Sequence, residues 1–193
     1  MELPNWVREA LGPKGGQIAI IVLAIPVIYL FGFREMRFFL VPSGSMEPTL
    51  LTGDHLMTLS EHEYKRGDVV VLEDPEERGA YIVKRIVGVG GDTVTVNGGG
   101  LFVNGQYISE PYIQSPPDYS MDPITIPENH VFLLGDNRNN SEDSHAWKDK
   151  GLDVHPDVRQ IVGKVLFIYY PYDRAGNVRG RFMAVDTKTA ERQ

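Results

Sequence analysis

The chain of 193 residues contains no cysteine. That absence removes disulfide bridges, cysteine-ligated zinc, iron–sulfur clusters and a thiolate nucleophile together. Positive charge is scarce as well: 19 Lys and Arg stand against 26 Asp and Glu, a formal net charge of -7. Before residue 34, Arg8 and Lys14 offset Glu2 and Glu9, so the whole acidic excess lies further along. An acidic body with no basic stripe argues against nucleic acid as the main partner. With 42% hydrophobic and 23% charged residues, the chain can build one ordinary core without covalent staples.

Long apolar runs are also few, with one exception. No charge occurs between Lys14 and Arg34, and residues 18–33 are almost wholly apolar. At about 1.5 Å per residue, a helix of this run is roughly 28 Å long, close to the ~30 Å hydrocarbon core of a bilayer. Pro26 is tolerated in such a helix. The segment after the run, Phe31-Gly32-Phe33-Arg34-Glu35-Met36, lacks the small residues of a signal-peptide cleavage site. The expectation is an uncleaved membrane anchor over residues 17–34, behind a flank of residues 1–16. Arg8 and Lys14 on one side balance Arg34 and Arg37 on the other, so charge leaves the orientation open.

Beyond the anchor the pattern turns to short strands rich in β-branched and aromatic residues: Val69–Leu72, Tyr81–Val83, Ile86–Val87, Thr93–Val96, Leu101–Val103, Val131–Leu134 and Val165–Tyr170. Residues 97–100 and Asn104-Gly105 read as turns, the first closing a hairpin. The expected fold is mainly β, an antiparallel domain over residues 35–173 built as folded sheets or a distorted barrel. Proline-rich residues 110–126 read as a long surface excursion. Residues 174–193 read as an extension of unknown role, with one further strand within Val178–Val185.

Chemistry is densest in Pro42-Ser43-Gly44-Ser45-Met46-Glu47-Pro48-Thr49-Leu50. Serine, glycine and proline at this density form turns, yet a turn has no use for Met46 and Leu50, which suit an apolar pocket. A serine hydroxyl needs a base to become a nucleophile. Five histidines are available (His55, His62, His130, His145 and His155), and a Ser/His/Asp set can assemble from distant positions. The G-x-S-x-G elbow is absent. The other base is a neutral lysine. Lys84 sits in Tyr81-Ile82-Val83-Lys84-Arg85-Ile86-Val87, where alternation puts Ile82, Lys84 and Ile86 on one face and Val83, Arg85 and Val87 on the other. Adjacent cations in a β-run are either the solvated charges of an edge strand or specially placed groups. Only burial among apolar groups makes such a lysine a base.

A third cluster runs from Gly135-Asp136-Asn137-Arg138 to Asp143-Ser144-His145, directly after an apolar strand. It is not a calcium loop, because Ser141 stands where that loop needs glycine. Ser141 or Ser144 can orient a buried lysine amine, and Asp136 or Asp143 can neutralise Arg85.

In this order, behind an anchor, the three clusters resemble the bacterial type I signal peptidases, the Ser/Lys leader-peptidase family. Arg66-Gly67-Asp68-Val69-Val70, Gly91-Asp92, Asn104-Gly105, Glu110-Pro111-Tyr112 and Pro127-Glu128-Asn129-His130 extend the likeness over residues 38–172. The resemblance implies a signal-peptidase/LexA-like β domain that removes signal peptides after small residues, with Ser45 as nucleophile and Lys84 as general base. The Ser45 backbone N–H and the Ser43 side chain would form the oxyanion hole. Ser141 would hold the lysine amine, Asp143 would support the same cluster, and Arg85, Asp136 and Arg138 would be structural. Val41, Pro42, Met46, Leu50, Ile82 and Val83 would surround the small substrate residues at -1 and -3, the peptide binding as an added strand. No cofactor or metal is implied. The implied partners are signal-peptide-bearing pre-proteins and a lipid bilayer, with a monomer whose catalytic domain lies outside the cytoplasm, in a cell or thylakoid-type membrane.

Two positions depart from the family pattern: His145, where arginine is frequent, and Lys148, where glycine often follows the tryptophan. Two rival readings remain. A self-cleaving repressor of the LexA type would need a DNA-binding segment in front. An inactive anchored β-module binding secreted proteins would be marked by loss of Ser45 or Lys84, and both are present.

Overall fold

The computed structural model describes residues 35–178 continuously, together with positions 12, 22, 25, 183 and 184. The anchor expected over residues 17–34 and its flank therefore lie outside the described residues apart from single positions, as does most of the extension beyond 178. Among the described residues no helix is long and apolar enough to cross a membrane. The chain divides into Met1–Met36 and Arg37–Gln193, and the second unit carries the architecture below.

Among the described residues twelve strands follow in order: β1 Met36–Leu40, β2 His55–Leu59, β3 Val69–Glu73, β4 Tyr81–Val89, β5 Thr93–Asn97, β6 Gly100–Val103, β7 Gln106–Ser109, β8 Met121–Thr125, β9 Val131–Leu134, β10 Ile161–Tyr170, β11 Gly176–Asn177 and β12 Met183–Ala184. One short helix, α1 Ser144–Trp147, follows β9. The strands form a seven-stranded sheet in the order β1-β2-β10-β3-β4-β9, with β11 on β10, and a five-stranded sheet in the order β12-β7-β6-β5-β8. The mainly antiparallel β architecture expected from the sequence is present.

Local sequence explains the small sheet. Val94 and Val96 on β5, and Leu101 and Val103 on β6, point inward while their neighbours face out. Asn97 pairs with Gly100 across Gly98-Gly99, whose φ values of 57° and 77° are the left-handed pair of a two-residue hairpin turn. Asn104-Gly105, at 54° and 76°, repeats that turn between β6 and β7.

The large sheet is organised by β4, which is one nine-residue strand rather than the two short runs expected. It lies between β3 and β9, so its cations do not occupy an edge. Val83 packs with Val41, Met46 and Leu50; Ile86 packs with Leu133 and Trp147; Val87 packs with Val94 and Phe132. One strand thus touches all three apolar clusters.

The surface excursion expected over residues 110–126 needs correction. Its last part is β8, paired with β5, and Ile126 is buried at 1% exposure. Pro123 obscures the strand in the sequence, yet β8 is an edge strand, where a missing N–H costs no ladder bond. Within Val178–Val185, Met183–Ala184 pairs against β7.

Candidate active site

Ser45 is the central residue of a tight 3-10 turn, Gly44–Met46, entered from an extended Ser43. The turn is held from below because Met46 and Leu50 are fully buried. It is held from the side by Asn137, whose backbone N–H donates to the Ser45 carbonyl at 3.1 Å and whose Nδ2 donates to the Gly44 carbonyl at 3.1 Å. The half-buried Ser45 hydroxyl accepts a long hydrogen bond from Ser43 Oγ at 3.5 Å.

Lys84 is 3% exposed, and its Nζ donates to Ser141 Oγ at 2.9 Å. Burial drives its ammonium below the ordinary lysine range, with Asp143, Asp74 and Glu142 opposing the shift through their charge. Ser43, Ser45, Ile82, Lys84, Glu142 and Trp147 line one cavity of about 260 Å³. A larger hollow of about 440 Å³ beside Leu72, Tyr81 and Arg159 is lined by no serine or lysine. Glycine at 135 is what lets the parts meet. A Cβ there would strike both the Ser141 side chain and the Ser45 carbonyl.

The structure decides between the open alternatives for the third cluster. Ser141, not Ser144, meets the lysine; Ser144 Oγ instead accepts from the Leu133 N–H at 3.0 Å. Asp136, not Asp143, neutralises Arg85, accepting from Nε at 2.7 Å and Nη2 at 2.6 Å. Asp143 accepts from the Gly135 N–H at 2.8 Å and from His145 Nδ1 at 2.5 Å. The His145 ring stacks on Tyr119 at 4.0 Å, so the departure from arginine keeps a donor on Asp143. Lys148 has φ -55° and ψ -44°, a right-handed conformation that needs no glycine.

Around this core lie residues that sequence reasoning did not place. Glu110 takes buried Arg138 in a bidentate pair at 2.7 and 2.6 Å. Burial opposes the Arg138 charge, and Glu110 outweighs it. Tyr112 lies under the Arg85 guanidinium at 3.9 Å. Thr49 donates to Asp136 at 2.5 Å, tying the serine segment to the Arg85 pair. Arg174 grips buried Asp54 at 2.9 and 2.8 Å and the Thr49 carbonyl at 3.3 Å. The available signal was a count of charges: each buried arginine demands a carboxylate, and Arg138 had none assigned.

The residues expected to contact substrate separate. Ile82 faces the cavity and Pro42 is exposed, whereas Val41, Met46, Leu50 and Val83 pack together as core beneath the serine segment. The histidines His55, His62, His130, His145 and His155 are all outside the cavity lining. Among the described residues no three His, Asp or Glu side chains gather as a metal site would.

A β-sheet scaffold that presents a serine and a buried lysine on one cavity has the parts of a serine endopeptidase. The family described as "Signal peptidase, peptidase S26" matches residues 15–170, and the chain belongs to that family. It is 34% identical over 183 residues to a "Probable signal peptidase I-1" of Synechocystis sp., covering 89% of each chain. It is 37% identical over 172 residues to the "Signal peptidase I" of Leptolyngbya laminosa, covering 81% of this chain and 80% of that one. A "Probable thylakoidal processing peptidase 2, chloroplastic" of Arabidopsis thaliana is 33% identical over 187 residues, covering 90% of this chain and 49% of that one.

Proposed function

We propose that this chain removes N-terminal signal peptides from exported pre-proteins, cleaving after small residues with Ser45 as nucleophile and Lys84 as general base. The observation that carries the assignment is the Lys84 amine: buried, bonded to a neutral hydroxyl, and facing the same cavity as Ser45. A lysine so placed sheds its proton more readily than one in water.

Neutral Lys84 takes the Ser45 hydroxyl proton as Oγ attacks the scissile carbonyl carbon. The oxyanion is met by the Ser45 N–H and the Ser43 hydroxyl. Collapse breaks the C–N bond, Lys84 returns the proton to the departing amine, and the mature chain leaves with the signal peptide esterified to Ser45. Lys84 then accepts a proton from water as the water oxygen attacks the ester carbonyl. Collapse breaks the C–O bond to Ser45, Lys84 returns that proton to Ser45 Oγ, and the signal peptide leaves as a carboxylic acid that ionises to solvent. Ser141 keeps the amine aimed throughout.

The apolar run of residues 17–34 serves as the membrane anchor in this reading, with residues 35–173 on the far side from the cytoplasm and the protein acting as a monomer. Both enzyme and signal sequence then sit in one bilayer, which raises their effective concentration. The test uses the full chain in detergent with a pre-protein whose signal ends in Ala-x-Ala. Cleavage after the last Ala is expected, falling on the order of 10³-fold or more in both Ser45→Ala and Lys84→Ala. Cleavage that survives Lys84→Ala would move the base elsewhere. No cleavage of a competent substrate by any form would favour a binding module.

A further inference from the structure

The cavity holding Ser45 and Lys84 is bordered by three carboxylates: Asp74 and Glu76 from the turn between β3 and β4, and Glu142 from the loop that carries Ser141. Across two of them lies a single cation. Lys150, in the 3-10 turn Lys148–Lys150 that continues α1, donates to both Glu76 oxygens at 2.9 Å. The same Nζ is 2.8 Å from Glu142 Oε2. The β3–β4 turn and the stretch from Glu142 to Lys150, distant in sequence, therefore meet at one ammonium.

All three side chains are partly exposed, at 40% for Lys150, 38% for Glu76 and 65% for Glu142. Exposed pairs of this kind add little to folding stability. What they set is charge beside a lysine that has to be neutral to act. The groups facing Lys84 are Asp143 at the start of α1, Asp74 from the β3–β4 turn and Glu142, and each favours the ammonium. Asp143 also carries His145, while Arg85 and Asp136 close on each other from the opposite face of β4. Of the carboxylates around the cavity, Glu76 and Glu142 are those that Lys150 compensates. Glu142 also directly follows Ser141, so its position bears on the hydroxyl that holds the Lys84 amine.

We propose that Lys150 is a positioning residue for the dyad: bridging Glu76 and Glu142, it holds the Ser141 loop against the β3–β4 turn and cancels carboxylate charge that would keep Lys84 protonated. The inference rests on the Ser45–Lys84 reading above.

The experiment is the pH profile of kcat/KM on one peptide substrate, for the unmodified chain, Lys150→Met, Lys150→Arg and the double variant Lys150→Met with Glu142→Gln. In Lys150→Met the acid limb moves to higher pH by roughly 0.3 to 0.6 unit, the size expected for one added charge several ångströms away in a wet cleft. Cleavage on that limb falls by about two- to four-fold, while the alkaline plateau changes less. Lys150→Arg retains the original limb, the double variant moves back toward it, and high salt shrinks the shift. A Lys150 that only supports the fold would lower the rate equally at every pH. An unmoved limb, or a double variant that stays shifted, overturns the proposal. Failure of the dyad itself is read separately, as cleavage that survives Lys84→Ala.

Discussion

The two faces of β4 hold adjacent cations in opposite circumstances. On one face Arg85 gives both prongs to Asp136, donates Nη1 to the Gly67 carbonyl at 2.8 Å and lies over the Tyr112 ring. On the other face Lys84 has one neutral hydroxyl. Both side chains are buried, Arg85 at 0% and Lys84 at 3% exposure. The charge on Arg85 is answered by a carboxylate within the fold, whereas burial holds the Lys84 amine below the ordinary lysine range. Complete compensation closes a cation into the fold, and in the proposed reading incomplete compensation suits Lys84 to act as a base.

The contrast is broken most severely at Asp136. Asp136→Asn leaves a buried guanidinium without its carboxylate, and a loss of about 3–5 kcal/mol is expected, measured by urea unfolding. Destabilisation no greater than that of an ordinary surface change would show that Arg85 is not closed as described. On the other face the sign reverses. Lys84→Met removes a buried, poorly compensated ammonium and should raise stability at pH 7 by roughly 1–3 kcal/mol while abolishing cleavage.

That gain has a definite pH dependence. Burial holds the folded pKa of Lys84 below the ordinary lysine value of 10.5, so between the two the unfolded chain binds more protons and the stability of the unmodified protein rises with pH. Below the folded pKa the cost of burying the cation is paid in full. The advantage of Lys84→Met therefore shrinks as pH rises through that window and is gone once pH exceeds the unfolded pKa. Thermal unfolding of both proteins across pH 6 to about 11 checks the trend.

The smallest effect sharpens the comparison with a third cation. Arg174 lies beyond residue 170, where the family match ends, yet it closes on buried Asp54 behind the serine segment. Its side chain is 27% exposed, and Asp54 keeps the Leu51 N–H at 2.8 Å, so Arg174→Ala should cost about 1 kcal/mol. A Tm lowered by a few degrees with cleavage retained would place residues 172–174 in the domain as support.

The small sheet was the more legible of the two. Its hairpins are closed by Gly98-Gly99 and Asn104-Gly105, and a two-residue turn with positive φ at both positions states its own geometry. The large sheet was not legible in the same way. Its order interposes β10 between β2 and β3, a pairing across about a hundred residues that no local pattern announces. β1, β2 and β7 were missed because each is only four or five residues long and interrupted by polar side chains, and β8 because of its proline.

The site divides along the same line. Residue type and order alone determined the serine segment, the lysine in an apolar strand and the acidic cluster behind a third strand, because those signals are local. Tertiary structure alone decided that Ser141 rather than Ser144 meets Lys84, and that Asp136 rather than Asp143 takes Arg85. It also decided that Glu110 answers Arg138, and that Val41, Met46, Leu50 and Val83 form a floor of packed core. The reason is physical. A side chain's chemistry belongs to its own atoms, but its partner and its proton affinity depend on which distant segments exclude water around it.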